Sequence, residues 1–358
     1  MSQNLLHFTK DNLIAEIENL GEKKFRAKQI WSWLYQKQIS DFDEMTNISK
    51  ETRTKLHEKF TIKLPQITKD IIAKDETRKW LVKFDEKAEV EMVFIPEEKR
   101  GTLCISSQVG CTLACKFCHT GTQMLVRNLE FHEIVAQVLL AKKMVEQRES
   151  ELGFLNKITN IVFMGMGEPF FNYDNIKKSI ETFVDIEGLS FSKNRITVST
   201  SGLVPEILRC AKELKVILAV SLHATNDVLR SDIMAINKKY PLDALLKACK
   251  NYNQENPSQK ITFEYVMLDG INDKEIHAKE LVNLIRKYNL NAKVNLIPFN
   301  SWFGCGYKNS SMETILNFQR ILKNCDIIAP IRKTRGEDAM SACGQLKSES
   351  VRVKQSTR

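Results

Sequence analysis

Three cysteines stand close together in the stretch CTLACKFCHTG, at Cys111, Cys115 and Cys118. Thiolates bind zinc ions and iron–sulfur clusters, and a structural zinc site is closed by four ligands. This loop offers three thiolates in the spacing C-x3-C-x2-C. A [4Fe–4S] cluster held by three cysteines keeps one iron open, and an open coordination position makes a metal centre reactive. The spacing therefore favours a reactive [4Fe–4S] cluster, and a zinc site is the alternative.

The chain contains nine cysteines, which is an odd number. The N-terminal stretch MSQNLLHFTKDNLIAEIENL carries scattered acids and no apolar core, so we expect no secretory signal. No apolar run approaches the roughly 18 residues of a membrane helix. We therefore expect a cytoplasmic protein with no membrane attachment. Its clustered cysteines are expected to bind metal or act in catalysis rather than build a disulfide framework.

The elements that must position this loop change in character along the chain. Residues 1–60 are predicted to be helices, because stretches such as DNLIAEIENLG and FRAKQIWSWLYQK have helical apolar spacing. Residues 70–107 consist of short β-rich runs separated by turn residues, which predicts β-hairpins. From about residue 100, apolar runs alternate with helical stretches, which predicts parallel βα units in a barrel or an open doubly wound sheet. The predicted strands are TLCIS, ITNIVFMG, RITVSTSG, VILAVSLHA, ITFEYVML, KVNLIPFN and DIIAPIRK.

Polar residues stand at the ends of several predicted strands. In a parallel barrel, the carboxyl ends of the strands line one mouth, where sites are built. A doubly wound dinucleotide fold would require a G-x-G-x-x-G turn, but GMGEPF has Phe170 at the third glycine position, which disfavours a nicotinamide site. The residues at these ends are Gly167, Glu168, Ser199, Thr200, Ser201, Ser221, Leu222, His223 and Asn300.

The chain of 358 residues is basic, with 53 Lys and Arg against 44 Asp and Glu and a net charge of +9. The excess is spread along the sequence rather than concentrated in one run. This balance suits a polyanionic partner such as nucleic acid, and equally a basic protein that binds none.

The cysteine loop, with Phe117 before its third cysteine, resembles the signature of radical S-adenosylmethionine enzymes. The resemblance implies that the open iron chelates S-adenosylmethionine. It also implies that one electron splits the sulfonium to give a 5′-deoxyadenosyl radical. Gly167 and Glu168 in GMGEP resemble the motif that holds the methionine ammonium group, and a carboxylate beside that cation is physically sensible.

A larger set of motifs resembles the RlmN-type methyltransferases. The motifs span nearly the whole chain and are GEKKFRAKQIWSWLY, VEMVFIP, SSQVGC, FMGMGEP, VSTSGLVP, SLHA, NLIPFN and KTRGEDAMSACGQL. The resemblance implies methylation of C2 of an adenine at the peptidyl transferase centre of 23S rRNA, and of adenine 37 in tRNA. It also implies two S-adenosylmethionine molecules per turnover, an electron donor such as flavodoxin, and a monomer.

The same resemblance implies an α/β fold with four parts. A small N-terminal helical accessory domain that binds RNA occupies residues 1–62, and a β-hairpin linker occupies 63–96. The radical S-adenosylmethionine core, a partial (β/α)6 TIM-like barrel, occupies 97–337. A C-terminal loop with a catalytic cysteine, followed by a basic tail, occupies 338–358.

Roles for individual residues follow from matching these motifs. Cys343 in SACGQL matches the cysteine that carries the methyl group as S-methylcysteine. Cys104 in TLCIS matches the cysteine that resolves the protein–RNA thioether through a transient disulfide with Cys343. Glu91 in VEMVF matches the proton acceptor. The positions that match the S-adenosylmethionine contacts are Gly167, Glu168, Ser199, Ser221, Leu222, His223 and Asn300.

Three other functions remain open on the sequence alone. A Cfr-type enzyme would methylate C8 of the same rRNA adenine and confer antibiotic resistance, and it shares the cluster and both extra cysteines. A zinc-stabilised RNA-binding protein would have no catalysis. A radical activase of another enzyme would leave Cys104 and Cys343 without a task.

Overall fold

The structure, a computed structural model, describes residues 2–152 and 157–350 of the chain. The end of the predicted C-terminal tail, residues 351–358, therefore lies outside the described residues. Within the described residues, no helix is both long enough and apolar enough to cross a membrane.

The first sixty residues fold into a helical module. Its helices are α1 Lys10–Asn19, α2 Lys24–Ser32 and α3 Lys50–Lys59, with a π-helix at Trp33–Lys37 and 3-10 helices at Leu5–His7 and Phe42–Glu44. Two short parallel strands, β1 Gln3–Asn4 and β2 Phe60–Thr61, close the module. Thr9 and Ser49 begin α1 and α3 because their hydroxyls accept backbone N–H groups of the first turns. The helices expected in this region are confirmed.

In the part of the chain that the structure describes, nine strands form one mixed sheet. They are β3 Gln66–Ile72, β4 Arg78–Asp85, β5 Ala88–Glu97, β6 Arg100–Cys104, β9 Asn160–Phe163, β10 Ile196–Thr200, β11 Ile217–Ser221, β12 Ile261–Met267 and β13 Ala292–Pro298. Their spatial order is β13-β12-β11-β10-β9-β6-β5-β4-β3. A separate two-stranded ribbon pairs β7 Gln108–Val109 with β8 Arg127–Asn128.

Strands β6 and β9 to β13 are mutually parallel, and β3 to β5 extend the sheet in antiparallel fashion from β6. A helical crossover follows each parallel strand except the last, and a helix covers the sheet after that one too. All seven residues of β12 are buried, as expected for a strand covered on both faces. The arrangement confirms the α/β fold with a partial (β/α)6 barrel.

Helices α4 to α10 form the outer layer of the sheet. They are α4 Phe131–Leu152, α5 Tyr173–Val184, α6 Val204–Glu213, α7 Asp227–Ile233, α8 Leu242–Glu255, α9 Glu275–Lys287 and α10 Met312–Lys323. Short 3-10 helices lie at Thr120–Thr122, Pro169–Asn172, Lys193–Arg195, Ala235–Lys238 and Glu337–Ala339.

One predicted strand does not form. The stretch DIIAPIRK runs beside β13, yet it makes a single parallel bridge between Leu296 and Ile331. Its carbonyls at Ile328 and Pro330 accept from Val294 and Leu296 at 2.9 Å each. Pro330 has no N–H to donate, so it interrupts a regular ladder. This segment therefore ends the sheet as a loosely paired edge that leads into the C-terminal loop.

Candidate active site

The three clustered cysteines lie on the loop between β7 and β8, at the carboxyl edge of the parallel strands. They line one cavity of about 980 Å³, open to solvent, together with residues from five strand ends. The loop turns tightly, with Cys118 N donating to Cys115 O at 3.1 Å and Gly121 N to Cys118 O at 3.0 Å. A Cβ at Gly121 would stand 2.8 Å from Cys115 O, so only glycine allows this close approach.

The spacing of the three sulfurs distinguishes a cluster from a single metal ion. Thiolates around one zinc ion lie about 3.8 Å apart, given a Zn–S bond of about 2.3 Å in a tetrahedron. In the described chain, the group of three metal-binding side chains with ligand atoms within 4.8 Å of one another is Asp41, Asp43 and His57, on the surface of the helical module. The three cysteine sulfurs do not all lie within 4.8 Å of one another, which fits a larger, multi-iron group better than one zinc ion.

The thiols of the loop lie in a low-dielectric setting. Burial and the neighbouring sulfurs raise the pKa of Cys115 and Cys118, although backbone N–H groups of the loop oppose this at Cys118. Burial likewise raises the pKa of Cys111 to about 12. Thiolates in such a place require positive charge from a bound metal group, and N–H···S hydrogen bonds tune iron–sulfur centres. The donor set therefore fits an iron–sulfur cluster.

The GMGEP turn after β9 presses directly against Gln108, the first residue of β7. Gly167 has φ +95°, and a Cβ there would stand 2.4 Å from Cβ of Gln108. The Gln108 side chain then accepts from Glu168 N at 2.8 Å. The turn therefore needs glycine at position 167, and it places Glu168 at the wall of the cavity.

Glu168 is a buried carboxylate held by backbone donors. Ser201 N donates to Oε2 at 2.7 Å, and Phe170 N donates to Oε1 at 3.1 Å. Burial raises the pKa of Glu168, while these N–H groups oppose the shift. A buried carboxylate that faces a cavity is suited to bind a cation, such as an ammonium group.

His223 follows β11 in a left-handed conformation, with φ +56°. Its Nδ1 accepts from Val266 N at 3.0 Å, so the proton of the neutral ring sits on Nε2. Burial lowers the pKa of His223 to about 3, and the ring therefore stays neutral across the physiological range. Phe117 packs edge-on against it at 4.6 Å between ring centroids, which ties the cysteine loop to this strand end.

Arg230 organises the same strand end, although it was not among the predicted site residues. Its guanidinium donates to the carbonyls of Leu222 at 3.0 Å, Ser201 at 2.7 Å and Ser221 at 2.9 Å. The side chain is fully buried. It therefore ties the ends of β10 and β11 together behind the cavity wall. The stretch HATNDVLR carries no pattern that would have revealed this role.

The structure brings most of the predicted ligand positions to this one cavity. Leu222 is the exception, because it is fully buried and its N–H donates to Glu264 O at 3.1 Å. The predicted residues that line the cavity are Cys111, Cys115, Cys118, Gly167, Glu168, Ser199, Ser221, His223, Asn300 and Cys343.

Cys343 reaches the cavity on a loop pinned by contacts from three directions. Asn300 Nδ2 donates to Cys343 O at 3.2 Å, and His119 N donates to Gly344 O at 2.7 Å. Gln345 Nε2 donates to Ser301 O at 2.8 Å. His119 also stacks on Trp302, with 4.7 Å between ring centroids, and so stiffens the boundary between the cysteine loop and this C-terminal loop.

Cys104 and Cys343 line a second, smaller cavity beside the first. Burial and the nearby Cys343 raise the pKa of Cys104 to about 12, and Arg332 opposes that shift. Arg332 lines both cavities, and Lys333 and Arg335 also line the smaller one, so the space between the two cysteines is surrounded by positive charge. All nine cysteines are free thiols, and the pairing of Cys104 with Cys343 stays a prediction for turnover.

Glu91 lines neither cavity but stands on the same face of the sheet as Cys104. Val93 lies opposite Cys104 in the β5–β6 register, and Glu91 is two residues along β5 from Val93. Side chains two residues apart on a strand point to the same face. Glu91 Oε2 accepts from Lys347 N at 2.9 Å, which joins this carboxylate to the C-terminal segment.

Glu264 is a second buried carboxylate, and it was not among the predicted site residues. Its Oε1 accepts from Asn295 at 3.0 Å, while Oε2 has no hydrogen-bond partner in the structure and lies 3.9 Å from Arg332 Nη1. Glu264 also lines the larger cavity. The stretch ITFEYVML could have indicated this residue, since one acid interrupts an apolar strand. Unpaired acids are rarely buried, so an acid in such a strand points to a functional role.

Comparisons with known proteins agree along the chain. The model of the ribosomal RNA large subunit methyltransferase N-terminal domain matches residues 3–62, and that of the radical SAM superfamily matches residues 105–282. The chain is 48% identical over 355 residues to a dual-specificity RNA methyltransferase RlmN of Paramagnetospirillum magneticum, covering 99% of this chain and 77% of the relative. A protein of the same description from Rhizobium meliloti is 51% identical, covering 99% and 90%.

A solved structure matches the fold closely. A radical SAM methyltransferase from Sphaerobacter thermophilus superposes with a TM-score of 0.88 at 40% identity, covering 96% of this chain and 99% of that one. The match includes both the helical module and the barrel. With the cysteine loop, the GMGEP turn and the two-cysteine cavity in place, the chain belongs to the RlmN family of dual-specificity RNA methyltransferases.

Proposed function

We propose that this protein methylates C2 of an adenine in 23S rRNA and of adenine 37 in tRNA, through S-methylcysteine at Cys343. The observation that carries the proposal is the shared cavity of Cys104 and Cys343, set beside the cavity of the three clustered cysteines. Adenine C2 is electron-poor, so it cannot attack a sulfonium as an ordinary nucleophile. A one-carbon unit must therefore be delivered to it by radical chemistry.

The first cavity is proposed to hold both groups that start the reaction. Cys111, Cys115 and Cys118 would hold a [4Fe–4S] cluster, and Glu168 would bind the ammonium group of S-adenosylmethionine. Gly167, Ser199, Ser221, His223 and Asn300 would line the remainder of that site. Leu222, which is fully buried, would fix the backbone between Ser221 and His223. When bound, these groups supply methyl transfer and a 5′-deoxyadenosyl radical.

The protein's own residues are proposed to carry the carbon and the proton. Cys343 Sγ would attack the methyl carbon of a sulfonium, with the sulfide as leaving group, and hold the methyl group as a thioether. That methyl group would then lose one hydrogen atom to the 5′-deoxyadenosyl radical, the remaining methylene would bond to C2, and one electron would return to the cluster. Glu91 accepts the proton that leaves C2. Cys104 Sγ then attacks Cys343 Sγ, the bond between Cys343 Sγ and carbon breaks with its electrons going to carbon, and the carbon gains a proton as methyl. The methylated RNA is then free, and the two cysteines remain as a disulfide that an external thiol reduces.

Arg332 is placed to serve both sulfurs. It lies beside the cavity shared by Cys104 and Cys343, and Met164 and Glu264 are within 3.9 Å of its Nη1. Both sulfurs act as nucleophiles in turn, and a nearby cation stabilises a thiolate. The barrel therefore supplies one fixed positive charge for both steps.

The four-part division of the chain is also a proposal. The helical module at 1–62 is proposed to bind RNA, since α2 exposes Lys24, Phe25 and Lys28 to solvent. Residues 63–96 support the base Glu91, 97–337 form the catalytic core, and 338–358 carry Cys343. A flavodoxin-type electron donor and a monomeric state stay predictions.

The test uses S-adenosylmethionine with an isotopically labelled methyl group. We expect label on Cys343 by peptide mapping, and 2-methyladenosine in digested rRNA and tRNA. Label absent from Cys343 overturns the mechanism, and 8-methyladenosine without 2-methyladenosine assigns Cfr-type chemistry instead. Anaerobic purification should yield about four irons per chain. A colourless zinc protein would point to an RNA-binding role without catalysis.

A further inference from the structure

Lys79, on β4, is a buried cation with two partners of different kinds. Its Nζ lies 3.0 Å from Glu91 Oε1 and donates to the carbonyl of Met340 at 3.1 Å. The residue is 5% exposed, and Glu91 is 4% exposed. Burying an ammonium group costs free energy unless the group is paired and hydrogen-bonded. Both contacts are therefore needed to keep Lys79 buried and charged.

The strand register places Lys79 in line with the catalytic face. Lys79 lies opposite Val93 on β5, and Val93 lies opposite Cys104 on β6. Residues opposite one another in adjacent strands point to the same face of the sheet. Lys79, Glu91 and Cys104 therefore share one face, over which the loop of Cys343 passes.

The other partner of Lys79 belongs to that loop. Met340 has φ +49°, a left-handed conformation uncommon for methionine, and stands three residues before Cys343. Further along, Lys347 N donates to Glu91 Oε2 at 2.9 Å. The Lys79–Glu91 pair therefore contacts the C-terminal segment on both sides of Cys343.

We propose that Lys79 is a positioning residue that holds Glu91 as an aligned carboxylate beneath the loop of Cys343, ready to take the C2 proton of the bound RNA. The inference rests on the proposed function and concerns only the steps that follow methylation of Cys343. Lys79 contacts neither cavity, so methyl loading of Cys343 proceeds without it. The loop also keeps its anchors at Asn300, His119 and Gln345.

The charges around Glu91 give the direction of the pH effect. Burial raises the pKa of Glu91, Glu89 on the same strand adds to this, and Lys79 and the Lys347 amide oppose it. Without the Lys79 charge, Glu91 holds its proton to higher pH. Proton removal from C2 then falls off at higher pH than in the wild type.

The experiment compares Lys79→Met with Lys79→Arg in the full-length, cluster-loaded enzyme. For Lys79→Met we expect Cys343 methyl loading within about twofold of wild type. We expect release of methylated RNA to slow by about 100-fold, the scale of one general base. A covalent Cys343–RNA adduct should accumulate, visible on denaturing gels, and the acid limb of RNA release should move to higher pH. Lys79→Arg should restore most of the release rate.

The matched control is Lys83→Met, on the same strand, where Lys83 pairs with the exposed Glu86 at 2.9 Å. It should behave as wild type. Wild-type release without adduct in Lys79→Met overturns the proposal, and so does loss of Cys343 methyl loading in that variant. If the wild-type enzyme itself neither labels Cys343 nor forms 2-methyladenosine, the proposed function fails instead.

Discussion

Two sulfurs far apart in the sequence meet at the smaller cavity, and their environments suit different tasks. Cys104 is fixed on a strand, where burial raises its pKa to about 12. Cys343 sits on a loop that faces both cavities. In the proposed mechanism, the loop position suits Cys343, which carries a carbon between two partners, and the rigid strand position suits Cys104, which only resolves the adduct.

Replacement of Cys104 by Ala should trap the enzyme on its RNA. Cys343 should still accept the methyl group, because Cys104 does not line the larger cavity. The thioether between Cys343 and adenine should then persist, since no second sulfur can attack it. We expect a covalent protein–RNA species by mass spectrometry. Cys210→Ala, which removes another buried thiol on α6, should turn over normally, and a trapped adduct in that control would refute the specific role of Cys104.

The fall in the rate of RNA methylation at low pH should report the protonation of Glu91. Burial is the largest cause of its raised pKa, so its carboxylate gains a proton at a higher pH than an ordinary Glu, whose pKa is about 4.3. A proton acceptor must be ionised, and the rate should therefore fall as the pH drops through this raised value.

Single-turnover reactions of enzyme already methylated at Cys343 isolate this step. Glu91→Gln should remove the acid limb of the pH profile and slow the release of methylated RNA by about 100-fold or more. Glu97→Gln, at the far end of the same strand and paired with Arg100 at 2.6 Å, should leave it in place. An unchanged limb in Glu91→Gln would rule out Glu91 as the base.

At the scale of elements, the turns after the parallel strands shape the cofactor cavity. The GMGEP turn fits against Gln108 at the start of β7 so closely that no side chain is tolerated at Gly167. Arg230 ties the ends of β10 and β11 from behind. These contacts fix the backbone, and the backbone in turn aims Glu168, Ser199 and His223 into the cavity.

Gly167→Ala should abolish S-adenosylmethionine binding while the fold survives. The new Cβ would stand 2.4 Å from Gln108 Cβ, so the turn and Glu168 must shift. Gly270→Ala is the matched control, because Gly270 also has a positive φ, +69°, but has open space around it. It should cost only about 1 kcal/mol of stability and bind the ligand normally. Equilibrium binding and thermal unfolding of both variants decide between a local clash and general backbone strain.

At the scale of the whole molecule, a shared apolar core and several surface contacts join the helical module to the barrel. Lys10 bridges Asp185 at 2.7 Å and Glu187 at 2.6 Å, both in the turn after α5. Gln36 donates to Ile186 O at 2.7 Å, and His7 stacks on His132 at 3.8 Å. These contacts set the module at one side of the sheet and leave the lysines of α2 exposed.

Charge reversal of Lys24 and Lys28 to Glu should weaken RNA binding without affecting Cys343 methylation. Each phosphate contact contributes about 0.7–0.9 to the slope of log affinity against log salt, so loss of two should lower the slope by about 1.5. Lys212→Glu, on the exposed face of α6, is the control and should change neither the RNA affinity nor its dependence on salt. An unchanged affinity in the double variant would place the RNA elsewhere.

Much of the architecture could be predicted from local sequence. Apolar runs of β length alternate with amphipathic helices, which is enough to predict parallel βα units. The seventh strand failed because pairing depends on individual N–H groups, and Pro330 lacks one. The choice of a partial barrel over a doubly wound sheet came from the resemblance rather than from periodicity.

The sequence by itself determined the groups whose members are neighbours in the chain. Cys111, Cys115 and Cys118 share one short loop, so their spacing alone indicated their chemistry. Tertiary structure alone decided the pairings across strands and loops: Lys79 with Glu91, Arg332 with Glu264, and Arg230 with three carbonyls. The physical reason is that buried charges take partners from whichever strand register and loop fold bring close, and no local pattern encodes that proximity.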